Sequence, residues 1–306
     1  MNDFIFITIS GAANGCLYAL LLLGILLVFR VSRAVNFAAG QIGMFGALFA
    51  FYSSKDFSTL SSQGGGWYLP GAILPIGVAI VVGMIVSALI GMLFDVGVMR
   101  RIPQDVFGFD LIATIGGFLL LTTAGENIFG NRNRLGPDFW NSNFVELGEL
   151  RINSNDLLVM ALTVVIVLVT ILVLKTTTAG LQSRASAESP DIAQSLGIPV
   201  HRVRTITWGI AGALAAVAAL LISSRMTVSP YLVTPFLLKA FIAGILGGLN
   251  RLVAPLLVAV FLGIYESWAV FFFASTARIP AVFTAIIVSL MIIPKRYLIE
   301  DQEARA

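Results

Sequence analysis

The segment Ser189-Pro190-Asp191-Ile192-Ala193-Gln194-Ser195-Leu196-Gly197-Ile198 concentrates the recognition chemistry of this chain. Ser189 is an N-cap residue type, Pro190 suits a first helical position, and Asp191 complements the positive start of a helix. Ile192, Leu196 and Ile198 give the helix a short apolar face, and Gly197 can end it. A helix this short is marginal alone in water, so the surface of another protein is expected to hold it. The segment lies in a basic loop opened by Lys175 and Arg184 and closed by His201, Arg202 and Arg204.

Catalytic constellations are missing from the sequence. His201 is the one histidine and Cys16 the one cysteine, which excludes a zinc cluster or an intrachain disulfide. No metal set is expected. There is no Gly-x-x-x-x-Gly-Lys-Ser/Thr loop to cradle a nucleotide phosphate. Gly244-Ile245-Leu246-Gly247-Gly248 lies in an apolar run and reads as close helix packing. Acids near apolar runs are few: Asp95, Asp110, Glu126 beside Asn127, and Glu266 after Tyr265. They form no evenly spaced chain of the kind a proton relay needs. A central acid costs about 2.5–3.5 kcal/mol on insertion scales, so Glu266 needs a partner or water. Lys239 lies near the entry of another apolar run.

A second constellation is Asn36-Phe37-Ala38-Ala39-Gly40-Gln41-Ile42-Gly43-Met44-Phe45-Gly46-Ala47. Gly40, Gly43 and Gly46 recur every third residue and permit close helix contact. Asn36 and Gln41 are costly facing lipid and should face protein or a water-filled path. Two readings stand: a packing surface, or the lining of a path bordered by Asn36, Gly40, Gln41, Gly43 and Glu126.

The elements that position these residues are membrane helices. The chain has 306 residues, 58% hydrophobic and 11% charged, with a mean hydropathy of +0.95. A soluble domain is nearer half apolar and a quarter charged. The fold class is therefore all-α, a polytopic membrane protein. About 20 apolar residues cross a bilayer. That rule places spans at 4–29, 35–53, 70–94, 108–129, 156–174, 204–223, 236–250, 252–274 and 279–294. The seventh is short and could cross halfway, so the count is eight or nine. The opening Met1-Asn2-Asp3 lacks the basic region of a cleaved signal, and the first run reads as a retained span. With the N-terminus outside, roughly twice as many Lys and Arg fall on the inner side as on the outer. That bias supports N-out, C-in topology. The net charge of +3 reflects this asymmetry and does not point to nucleic acid.

One domain, 1–306, carries two loops of interest: an outer loop at 130–155 and a cytoplasmic loop at 176–203. In the outer loop, Val145 to Ile152 alternates apolar and polar residues around Gly148, which predicts a small hairpin. Asn153-Ser154-Asn155-Asp156 then supplies N-cap chemistry for the next helix.

In order along the chain, the motifs resemble the permease subunits of ABC importers for branched-chain amino acids, the LivH-like branch. The early part is Asn14-Gly15-Cys16-Leu17-Tyr18-Ala19-Leu20, then Val35 to Gln41 and Gly46-Ala47. The middle runs from Gly180 to Gly197-Ile198, then Arg202-Val203 and Gly209 to Ala216. The late part is Leu238-Lys239-Ala240-Phe241, Gly247-Gly248, and Leu262-Gly263-Ile264-Tyr265-Glu266-Ser267.

The resemblance implies a transport subunit of an ATP-driven, binding-protein-dependent importer, not an enzyme. It implies no cofactor in this chain, with ATP used by two cytoplasmic ATPase subunits. The further partners implied are a second permease, often a nonidentical homologue, a periplasmic substrate-binding protein, and the bilayer of a bacterial inner membrane. Ser189, Asp191, Ala193, Leu196, Gly197 and Ile198 would form the coupling helix that enters the ATPase. The substrates implied are branched-chain or other apolar amino acids, with urea and short amides handled by relatives. The competing class is an ion-coupled secondary transporter, which would want intramembrane ionisable groups and an inverted repeat.

Overall fold

The computed structural model describes residues 2–54, 74–102, 108–130, 144–147 and 150–292. Eleven α-helices follow one another among the described residues, broken by one hairpin. They are α1 (Asn2–Ser32), α2 (Ala39–Ser53), α3 (Ile76–Gly97), α4 (Phe109–Phe129), α5 (Ser154–Thr176), α6 (Thr178–Glu188), α7 (Pro190–Ser195), α8 (Val200–Ser223), α9 (Thr234–Gly247), α10 (Val253–Phe273) and α11 (Arg278–Ile292). The hairpin pairs β1 (Phe144–Leu147) with β2 (Leu150–Asn153), antiparallel, with Glu146 opposite Arg151. Six helices are long and apolar enough to cross a membrane by length and composition: α1, α3, α4, α5, α8 and α10. The protein is an all-α polytopic membrane protein with this small hairpin on one connection.

Helix α1 is the centre of the bundle. Its 31 residues extend about 46 Å at 1.5 Å per residue. Leu17, Leu20, Leu21, Leu22, Leu23, Ile25, Leu26 and Val28 cover its whole circumference, and all are buried. A helix apolar on every face must be enclosed by other helices, and α5, α8, α9 and α10 enclose it. Its contact with α10 is a backbone approach. A Cβ on Gly15 would fall 2.5 Å from Val260 Cα and 2.6 Å from its carbonyl oxygen. Small residues make this contact possible, as they do wherever membrane helices pack closely.

A second layer is built from α2, α3 and α8. Here Ser87 donates to the Ile42 carbonyl at 2.7 Å, fixing α3 against α2. The outer faces are large and apolar. On α5, Val165, Leu168, Val169 and Leu172 are exposed, and on α3, Val81, Ile85, Leu89 and Leu93 are. Contiguous apolar surface on this scale needs lipid or another protein against it.

The expected spans correspond to helices with shifted ends. The first helix continues beyond 29 to Ser32, because nothing breaks it before Arg33, whose φ is +54°. The second begins at Ala39, not 35, since Arg33 to Asn36 are non-helical and Phe37 and Ala38 form a turn before it. The seventh, α9, has 14 residues, about 21 Å, which is short of a hydrocarbon core of about 30 Å. Asn153 caps α5 as its residue type suggested, accepting from Asn155 N at 3.0 Å. Most of the outer loop expected at 130–155, including Asn131 to Ser142, lies outside the described residues.

Candidate functional site

The loop at 176–203 folds into two helices where a single one was expected at 189–196. Thr177 closes α5 and opens α6 in one residue: its extended backbone ends the first helix, and its hydroxyl accepts from Gly180 N at 3.1 Å. A Cβ on Gly180 would strike the Leu174 carbonyl, so the corner needs glycine. Helix α7 then starts at Pro190. Ser189 occupies the N-cap position, but its side chain makes no capping bond. The turn is closed by backbone instead, with Ala193 N donating to Ser189 O at 3.0 Å.

The far end of α7 is a Schellman motif. Ile198 N donates to Ala193 O at 3.0 Å, and Gly197 N to Gln194 O at 2.9 Å. Gly197 takes φ +82°, the left-handed conformation this motif requires. Ala193 is buried, Ile198 is half-buried, and Asp191 is exposed. Ile192 is 63% exposed and Leu196 75%, so two of the three apolar side chains face outward with nothing on them.

The loop is anchored to the bundle by charge. Asp95, at the end of α3, is fully buried. Its Oδ1 accepts from Arg204 Nε at 2.7 Å, and its Oδ2 accepts from the Thr205 hydroxyl at 2.6 Å. Arg100 Nε lies 3.4 Å from the same Oδ2. Arg100 also donates to the His201 carbonyl at 3.0 Å. Thus the first turns of α8, which follow α7 directly, are tied to the end of α3.

The residues considered for a path are placed as follows. Asn36 and Gln41 are buried inside the chain, not against lipid. Gln41 Nε2 donates to Thr234 Oγ1 at 3.2 Å, while Asn36 Oδ1 and Gln41 Oε1 have no partner among the described residues. Gly40 faces Val233 and Leu237 of the α9 entry, at 3.2 and 3.3 Å from an added Cβ. Gly43 faces α8, where a Cβ would overlap the Ala215 carbonyl. Glu126 sits apart from these, accepting from the Tyr231 hydroxyl. That bond holds the phenol proton and raises the Tyr231 pKa.

Glu266 has the partners its position demanded. Its Oε1 accepts from Lys239 Nζ at 2.5 Å and its Oε2 from the Tyr18 hydroxyl at 2.8 Å. Lys239 Nζ also donates to the Tyr18 oxygen at 3.1 Å, and Arg278 Nε approaches Glu266 Oε1 at 3.4 Å. The network joins α1, α9, α10 and α11. A comparable tie lies elsewhere in the bundle: Arg225 donates to Asp156 Oδ1 at 2.5 Å and to Asn14 Oδ1 at 3.0 Å, holding α1 and α5 to the end of α8.

This geometry is a multi-helix bundle with a projecting helical loop, and comparison with known proteins gives it a family. A profile of the family described as "Branched-chain amino acid transport system / permease component" matches residues 7–294. The chain belongs to this family.

Relatives in the permease-component family align over nearly the same length. The high-affinity branched-chain amino acid transport system permease protein LivH of Escherichia coli is 24% identical over 290 residues, 93% of this chain and 92% of that protein. The corresponding protein BraD of Pseudomonas aeruginosa is 26% identical over 292 residues, 94% and 92%. The probable branched-chain amino acid transport permease protein LivH of Methanocaldococcus jannaschii is 29% identical over 262 residues, 85% and 79%. A family of transport-system permease components is a family of transport subunits, not of enzymes.

Several residues of this permease component carry more structure than their sequence context suggested. Asp95 was legible as an acid near a helix end, but not as the anchor of Arg204. Tyr18 was legible as part of the early motif Asn14 to Leu20, but not as a partner of Glu266. Asp156 was legible as part of the N-cap run of α5, without any indication that it meets Arg225.

Proposed function

We propose that this chain is the membrane permease of an ATP-driven, binding-protein-dependent importer, with branched-chain or other apolar amino acids as substrates. Its partners are two cytoplasmic ATPase subunits, a second permease that is a nonidentical homologue, and a periplasmic substrate-binding protein. It resides in the inner membrane with the N-terminus outside and the α6–α7 loop inside. Family membership supports the transport class, and the names of the relatives support the substrate class.

The observation that carries the mechanism is the exposure of Ile192 and Leu196 on a rigidly capped helix. Fully burying one such side chain contributes roughly 1.5–3 kcal/mol, so a partner that covers both gains a substantial anchor. Helix α7 is the coupling helix in this reading, seated in a cleft of the ATPase. ATPase closure displaces α7, and the Schellman turn and Pro199 pass the displacement to α8. The Arg204–Asp95 pair carries it on to α3. Because α2 packs on both α3 and α8, Asn36, Gly40, Gln41 and Gly43 move with them and alter the substrate path.

Uptake measurements test this reading. Transport should require the binding protein and ATP, and vanadate should abolish it. Uptake driven by a proton or sodium gradient in vesicles holding this chain alone would overturn it.

A further inference from the structure

Where α1, α5 and α6 meet, beside the α6–α7 loop, a cavity of about 440 Å³ opens on the surface. Small-molecule sites fall in the range of roughly 300–1,000 Å³. Three guanidinium groups line it, from Arg30, Arg33 and Arg184, against one carboxylate, Glu188. The rest of the wall is Ser183, Asn250 and three apolar residues, Leu27, Leu174 and Ala187.

The arginines are held there at a cost. Arg33 adopts φ +54°, a left-handed conformation that is unfavourable for a non-glycine residue. It donates Nη2 to the Ala187 carbonyl at 3.0 Å, which fixes its side chain along the cavity wall. Arg30 and Arg184 form no ion pair among the described residues. Like charges gathered around one cavity repel unless an anion joins them. Arginine forks match phosphate oxygens in paired hydrogen bonds.

We infer that this cavity binds the phosphate of an anionic phospholipid headgroup. The wall supports a lipid over a free anion, because it joins basic and apolar surface. Leu27 and Leu174 lie in the last turns of α1 and α5, two helices long and apolar enough to cross a membrane, so the cavity sits where those helices would meet the headgroup layer of a bilayer. A headgroup phosphate on the arginines is then held at the level where those helices leave the bilayer. Basic pockets between membrane helices are used for such headgroups in other membrane proteins. The site is separate from the transport path and from the exposed residues of α7, and it does not depend on the identity of the transported solute.

Lipid retention tests the inference. The full chain is purified in detergent, equilibrated with equal amounts of phosphatidylglycerol and phosphatidylcholine, and its retained phospholipid is quantified by mass spectrometry. The wild type should retain phosphatidylglycerol in preference, by about tenfold, given that each basic group attracts an anionic headgroup. The Arg30→Gln/Arg184→Gln variant should lose that preference. Exposed Arg184 offers a second variant that leaves the fold alone: Arg184→Gln should weaken the preference and Arg184→Lys should largely restore it. Equal retention of both lipids by the wild type, or an unchanged preference in the double variant, would overturn the inference. Displacement of the lipid by excess inorganic phosphate, with phosphate itself retained, would mark a free-anion site and overturn the lipid assignment. Loss of ATPase copurification with lipid preference intact would show a protein contact instead, which also overturns it.

Discussion

Arg204 Nε sits 2.7 Å from Asp95 Oδ1, with both side chains buried. This pair is the one charged link between the start of α8 and the end of α3, among the described residues, that is closed to solvent on both sides. Such pairs are asymmetric in energy. Losing one partner strands a buried charge, at about 3–5 kcal/mol, whereas replacing both by apolar groups can be near neutral.

The first prediction follows from that asymmetry. Asp95→Ala should destabilise the detergent-solubilised permease by about 3–5 kcal/mol, read as a large fall in thermal midpoint. Asp95→Leu/Arg204→Met should recover most of that loss. If the variant also retains the ATPase yet transports poorly, the pair serves transmission as well as stability. A double variant as unstable as the sum of the two single variants would contradict the pairing.

The Glu266 network gives a graded prediction. Tyr18→Phe removes one hydrogen bond to a charged acceptor and should cost about 1.5–3 kcal/mol. Lys239→Met leaves Glu266 with the Tyr18 hydroxyl and, as its nearest cation, the more distant Arg278, and should cost more, up to about 3–5 kcal/mol. Thermal unfolding of the two variants side by side checks the order. Equal stability of wild type and Lys239→Met would remove the structural role assigned to the pair.

Two glycines should respond in opposite ways. Gly43→Leu drives a side chain into the Ala215 carbonyl and should abolish folded yield, not merely transport. Gly197→Ala meets nothing within 4 Å but must hold φ +82°. It should cost about 1–2 kcal/mol locally at α7, lowering ATPase copurification while monodisperse permease is still recovered. Size-exclusion profiles separate the two outcomes.

Much of this was readable from residue patterns, and the limit falls at a definite place. Long apolar runs such as Leu17 to Val28 dictate helices because backbone groups in lipid must be satisfied within the segment. The α7 helix was readable from Pro190, Asp191 and Gly197, each of which acts locally. Helix α6 was missed, though Thr177 and Gly180 carry a cap and a corner, because its polar composition shows no apolar period. Ser189 was expected to cap with its side chain, but the backbone closes that turn. Glu266 was seen to need a partner. Which partner it takes is set by the packing of four helices, and so is the meeting of Asp95 with Arg204, 109 residues apart.

Sidedness can be read by labelling. In a Cys16→Ala background, Gln194→Cys lies on the exposed surface of α7 and should react with a membrane-impermeant maleimide only after the cells are permeabilised. Ser186 is a poor reporter, being fully buried. Ready labelling of Gln194→Cys in intact cells would invert the topology.

The coupling function of α7 is tested most directly by changing its exposed face alone. Ile192→Glu/Leu196→Glu alters two side chains that are 63% and 75% exposed, so the permease should stay folded and in the membrane. The purified transport complex is then assayed for ATPase copurification and for ATP hydrolysis stimulated by the loaded binding protein. The account predicts that the double variant loses the ATPase subunits, or retains them with hydrolysis no longer stimulated. Normal copurification together with normal stimulation would contradict it.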